Sequence, residues 1–185
     1  MTSEVGPIPA AIAPGQGFSF EGNSLFYLGL KYALHGEWLP APASFGGLPP
    51  LVYWLRYFLT GIPAPLGGHD VLLNQVAWAG WAGLLITMLN LIPAGQLDGG
   101  HALYVLFGKN AAKAMPFILV TLALLGFVWQ GWWLWAVLIY WFGRNHAEPL
   151  DQITQLDTGR TLVAALVLLI FLLIFMPVPL RLIVG

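Results

Sequence analysis

Apolar and polar positions divide the chain near residue 70. Before it, no apolar run is long enough to cross a bilayer, which takes roughly 20 residues. Residues 26–34 and 51–59 are apolar but short, and Lys31 and Arg56 interrupt them. Trp38, Tyr53, Trp54 and Tyr57 suit an interfacial position. Lys31 and Arg56 can reach the headgroups by snorkelling. These features predict short interfacial or re-entrant helices over 1–70, with a plain extramembrane loop as the alternative.

After residue 70 the apolar runs lengthen. Residues 71–89 predict a first membrane span. Nineteen helical residues reach about 28 Å. Asn74 and Gln75 lie near its start, and Gly80 and Gly83 give it a small face for close helix packing. His69-Asp70 in front of it reads as an N-terminal cap, and Asn74 as a polar contact between helices. Residues 115–128 and 132–142 are two further spans, separated by Gln130 and Gly131. A hairpin fits them, and one long helix over 113–142 is the alternative. Trp129, Trp132, Trp133 and Trp135 cluster at the turn, as in an aromatic belt. Residues 143–159 are polar, and 161–176 form the last span. With the hairpin, Lys109, Lys113, Arg144 and Arg160 share one side of the membrane and Arg181 takes the other. The positive-inside rule makes the first side cytoplasmic. The expected fold is all-α: a polytopic membrane protein with three to four transmembrane helices, interfacial over 1–70 and membrane core over 71–185.

Composition agrees. The chain is 58% hydrophobic and only 8% charged, whereas a soluble domain is about 25% charged. Net charge is −1, which leaves no basic face for nucleic acid. The absence of Cys excludes disulfides and thiolate metal sites and leaves His and carboxylate ligands. The first ten residues lack the basic start and apolar run of a signal peptide. Together with Pro7, Pro9 and Pro14, this reads like the middle of a protein.

Candidate chemistry concentrates at residues 89–101, L-N-L-I-P-A-G-Q-L-D-G-G-H. Asp98 is the only acid between residues 71 and 147. An ionisable group at membrane depth is a functional-site hypothesis by default. Pro93 removes a helical hydrogen bond, while Gly95, Gly99 and Gly100 allow backbone shapes closed to other residues. A discontinuous helix is expected here. Asp98 could otherwise simply cap a helix starting at Gly99.

The string Asn90-x-x-Pro93-x-x-x-x-Asp98-Gly99-Gly100 resembles the second signature of the site-2 protease family, intramembrane zinc metalloproteases that cut transmembrane helices. The resemblance extends to the W-A-G-W approach and the G-R-N-H exit. It implies that Asp98 is the third zinc ligand. In the family the other two are His residues of an H-E-x-x-H motif on an earlier helix, whose Glu is the general base. Two His at i and i+4 face one way on a helix and leave a zinc position for water. Zinc lowers that water's pKa toward about 7.

This chain contains no H-E-x-x-H. His35, His69, His101 and His146 never stand four apart, so both His ligands must come from outside it. The resemblance therefore implies the C-terminal part of a longer enzyme, with its N-terminal helices as partners. It also implies a transmembrane protein substrate and residence in a lipid bilayer, as a multi-pass protein of a bacterial cell membrane. Asn90 and Pro93 would hold the unwound substrate strand, and Asn90 would stabilise an oxyanion. Next to this, His101 reads as a residue behind the site or at the interface, and His35 and His146 as solvated. A non-catalytic relative acting as a membrane binding or scaffold protein is the second function. A transporter is the third, because broken helices with a midplane acid also bind ions, but no inverted repeat is visible.

Overall fold

A computed structural model describes residues 3–142 and 158–185. Arg144 and His146, and with them the expected arrangement of the polar loop, lie outside the described residues. The chain is mostly helical, and it divides into two compact units: 1–85 with 176–185, and 86–175.

The first unit departs from the all-α expectation. Strand β1 (Glu4–Pro7) pairs antiparallel with β3 (His69–Leu72), and β2 (Gly17–Glu21) with β4 (Leu180–Val184). Two short helices follow β2: α1 (Leu25–His35) and α2 (Pro50–Thr60). Ser24 caps α1 through its hydroxyl, which accepts from the Tyr27 amide at 3.1 Å. Pro49 and Pro50 open α2, where a missing N–H costs nothing. Gly36 and Gly61 close the two helices in left-handed conformation.

The strand pairing shortens the first expected span. Val71 and Leu72 are β residues opposite Val5 and Glu4, and α3 runs only over Gln75–Asn90. Its cap is Asn74, whose Oδ1 accepts from the Ala77 amide at 2.9 Å. His69 and Asp70 are strand residues instead of the expected cap, because their backbone pairs with Pro7 and Gly6. Trp81 on α3 donates its indole N–H to the Gly22 carbonyl at 2.9 Å, which ties the helix to the segment after β2.

The second unit holds the apolar helices. These are α4 (Asp98–Phe107), α5 (Ala114–Leu125), α6 (Gly131–Phe142) and α7 (Thr158–Ile174). A 3-10 stretch, Gly108–Lys113, joins α4 to α5. The helical run Asp98–Leu125 is, among the described residues, the one long and apolar enough to cross a membrane. Helix α7 is apolar but shorter. Helices α5 and α6 pack on each other across the turn at 126–130. The Trp133 indole donates to the Ala123 carbonyl at 3.0 Å, and its ring meets Phe127 edge-on at 5.4 Å. Trp132 is fully buried and stacks on Phe175 at 5.6 Å. It is therefore core and not the belt residue its neighbours suggested, because the turn points its ring toward α7.

Candidate functional site

The segment 89–101 folds as a tight turn between two helices. Helix α3 ends at Asn90, and the chain then folds back on itself. The Ala94 amide donates to the Ile92 carbonyl at 2.7 Å and the Leu97 amide to Ala94 at 3.3 Å. Gly95 stands at φ +57°, a left-handed conformation that disfavours any residue with a Cβ. Leu97 is the cap position of α4, and its side chain has no acceptor to offer. Asp98 is the first residue of the helix and not its cap. There it benefits from the positive end of the helix dipole.

The two glycines after Asp98 have a steric reason. A Cβ on Gly99 would strike the Leu91 carbonyl, and one on Gly100 the Gly95 carbonyl. The first turn of α4 thus rests directly on the backbone of the turn before it. This contact fixes where Asp98 starts and leaves it exposed. Asn90 is exposed too, and Pro93 is half-buried. Pro93 borders an apolar cavity of about 300 Å³, lined also by Ile92, Phe117, Thr121 and Phe171. His101 is exposed at the edge of a groove between α4 and α7.

Asp98 offers the oxygen donor of one carboxylate, which zinc accepts. No three His, Cys, Asp or Glu side chains stand together as a metal cluster among the described residues. The donors among the described residues do not make a zinc site by themselves.

Sequence reasoning missed a second polar site. Lys31 is buried, and its ammonium donates to Glu21 Oε1 at 2.8 Å and Asp70 Oδ1 at 2.9 Å. The expected snorkelling of Lys31 is overturned, because both of its anions lie inside. Tyr27 donates to Glu21 at 3.3 Å, and its ring lies 4.7 Å from the Lys31 nitrogen. Asp70 also accepts from the Val71 amide at 2.8 Å. Burial pushes the Asp70 carboxyl above its usual range; Lys31 opposes that shift and Glu21 adds to it. Burial likewise raises the Tyr27 and Tyr57 phenols. Tyr53 and Tyr57 are buried against the protein, so their rings do not form the exposed belt expected of them. The legible signal was the spacing of Tyr27 and Lys31, and of Tyr53 and Tyr57, four apart on one helix face. A cleft of about 750 Å³ lies beside Lys31, between α1 and α3, and half-buried His35 lines it.

Residues 67–128 match Peptidase family M50, the site-2 protease family. The turn and Asp98 fall inside that match. The chain is a homologue of the M50 peptidases. It is 33% identical over 180 residues to the probable zinc metalloprotease EGY2, chloroplastic, of Arabidopsis thaliana. That alignment covers 92% of this chain and 31% of the relative. The probable zinc metalloprotease EGY1, chloroplastic, of the same plant is 34% identical over 119 residues, 62% of this chain and 21% of its own length. EGY3 of Oryza sativa subsp. japonica is 31% identical over 105 residues, 54% of this chain and 18% of its own. The chain thus spans under a third of the length of these relatives. Their names place them in the chloroplast and lend no support to a bacterial membrane. No solved structure matches the chain.

Proposed function

We propose that this chain contributes to an intramembrane zinc metalloendopeptidase that hydrolyses peptide bonds in transmembrane segments of other proteins. The observation that carries the reading is the turn at 89–101. It lies within the segment matching M50 peptidases, and its backbone is shaped to present an exposed carboxylate at a helix start. In this reading Asp98 is the third zinc ligand, and two His ligands come from outside the chain. Gly99 and Gly100 let α4 close on the turn and so set the carboxylate's position.

Asn90 and Pro93 take the substrate. A helical peptide bond is shielded by its own hydrogen bonds, so in this reading the substrate unwinds before its strand is held beside Asn90 and Pro93. The apolar cavity beside Pro93 suits a membrane-segment side chain. In this reading the exposed Asn90 amide donates to the oxyanion. The lipid bilayer is the medium, and the helical run Asp98–Leu125 is consistent with residence there.

The test is Asp98→Ala in the intact protein, with bound zinc and cleavage of a transmembrane substrate both measured. Loss of cleavage together with weakened zinc retention is expected. Undiminished cleavage would remove Asp98 from the site. Translating the coding sequence upstream of Met1 tests the source of the missing ligands: an in-frame H-E-x-x-H is expected. A genuine start at Met1 would favour the non-catalytic, scaffold reading.

A further inference from the structure

Helices α1 and α2 are built inside out. A helix packed against water turns its aliphatic stripe to the core and its polar face outward. On α1 the buried residues are Tyr27 and Lys31, and on α2 they are Tyr53 and Tyr57. The outward faces carry Leu25, Leu30 and Leu34 on α1 and Leu51, Leu55 and Leu59 on α2. Leu34 is 70% exposed and Leu51 is 80% exposed. Lys31 is the one charged residue of α1, and it turns inward to its two carboxylates.

That polarity fits a medium of hydrocarbon. Ionisable residues at membrane depth face the protein interior and pair there. Neither helix can span: 11 residues each give about 16 Å against a core of about 30 Å. Both carry the groups that suit a lipid boundary. Exposed Trp38 follows α1 and stacks on Tyr32 at 4.6 Å. Arg56, the only charge on α2, is exposed, and its stem is long enough to carry the guanidinium to the headgroups. The leucine face of α1 also borders the cleft that reaches Trp81 and Leu84 on α3.

We propose that α1 and α2 lie in the acyl-chain boundary of the bilayer, their leucine faces in lipid and their Tyr and Lys residues holding a polar interior. The proposal rests on the membrane reading of the chain, and the experiment separates the two. The chain has no Cys, so single-cysteine variants report single positions. Leu34→Cys and Leu51→Cys probe the proposed faces, and both side chains are exposed, so folding is not at risk. Ser44→Cys, in an exposed loop, is the control for water. Phe117→Cys on α5, 75% exposed, is the control for lipid.

Each variant is labelled with bimane and reconstituted in phosphatidylcholine vesicles with brominated acyl chains. Positions 34 and 51 are expected to lose fluorescence to the brominated lipid as fully as position 117, with position 44 unchanged. If 34 and 51 behave like 44 while 117 is quenched, the proposal fails and the membrane reading survives. If 117 is unquenched as well, the membrane reading fails and takes the proposal with it. Protection of 34 and 51 from both brominated lipid and aqueous iodide indicates a protein partner on these faces, and that also overturns it.

Discussion

The Glu21–Lys31–Asp70 cluster and the Asp98 turn both place carboxylates in a largely apolar chain, and they treat them in opposite ways. In the cluster each charge is answered from within: one ammonium bridges two carboxylates, and Tyr27 and the Val71 amide add hydrogen bonds. At the turn the effort goes into the backbone instead. Gly99 and Gly100 let the first turn of α4 rest on the carbonyls of Leu91 and Gly95, and Asp98 stays exposed at its start. A buried charge with its partners in place is a structural device, costly to break. An exposed carboxylate on an over-determined backbone is available to something else.

The contrast breaks most readily at Lys31. Lys31→Met leaves two carboxylates buried without their cation and is expected to cost about 3–5 kcal/mol. Asp98→Asn, at an exposed position, is expected to stay within about 0.5 kcal/mol. Chemical unfolding in detergent measures both. Comparable losses would mean that Asp98 holds the fold and that the two sites do not differ.

The next effect is steric. Gly99→Ala drives a methyl group into the Leu91 carbonyl, and the strain is expected to cost about 1–3 kcal/mol. Gly29→Ala on α1 meets open space and should stabilise by about 0.5–1 kcal/mol through helix propensity. Equal melting temperatures for the two variants would show that the turn is looser than its geometry.

The smallest effect sharpens the cluster itself. Folded Asp70 keeps its proton to higher pH than an unfolded Asp, because burial disfavours its charge. The folded state therefore binds more protons in that window. Its contribution to stability is full below the ordinary carboxylate value of about 3.9 and is lost as pH rises through the raised folded value. As pH rises above about 4, the native chain is expected to lose stability relative to Asp70→Asn. Parallel melting curves across that range would place Asp70 in an environment that does not perturb it.

Much of the turn was legible because local chemistry specifies it. Pro93 and the glycines act through backbone sterics, which depend on neighbours in sequence. The apolar runs behind α5, α6 and α7 were legible for the same reason. The N-terminal region was not. Its strands pair residues far apart, Glu4 with Leu72 and Gly17 with Val184, and no short-range pattern announces such a pairing. Lys31 looked like a snorkelling lysine because Asp70, 39 positions away, is invisible from its surroundings. Trp132 and Trp133 are adjacent and chemically identical, yet one is core and the other 44% exposed. Only the direction of the turn at 126–130 separates them.

The sequence by itself determined that the chain is a mostly helical, apolar protein related to the M50 peptidases, with a proline- and glycine-shaped turn that carries Asp98. Side-chain hydrophobicity and the steric limits of proline and glycine are properties of residues in place, and they need no partner. Tertiary structure decided which polar groups are hidden and which are offered. Pairing free energies arise between residues that only the folded chain brings within about 3 Å.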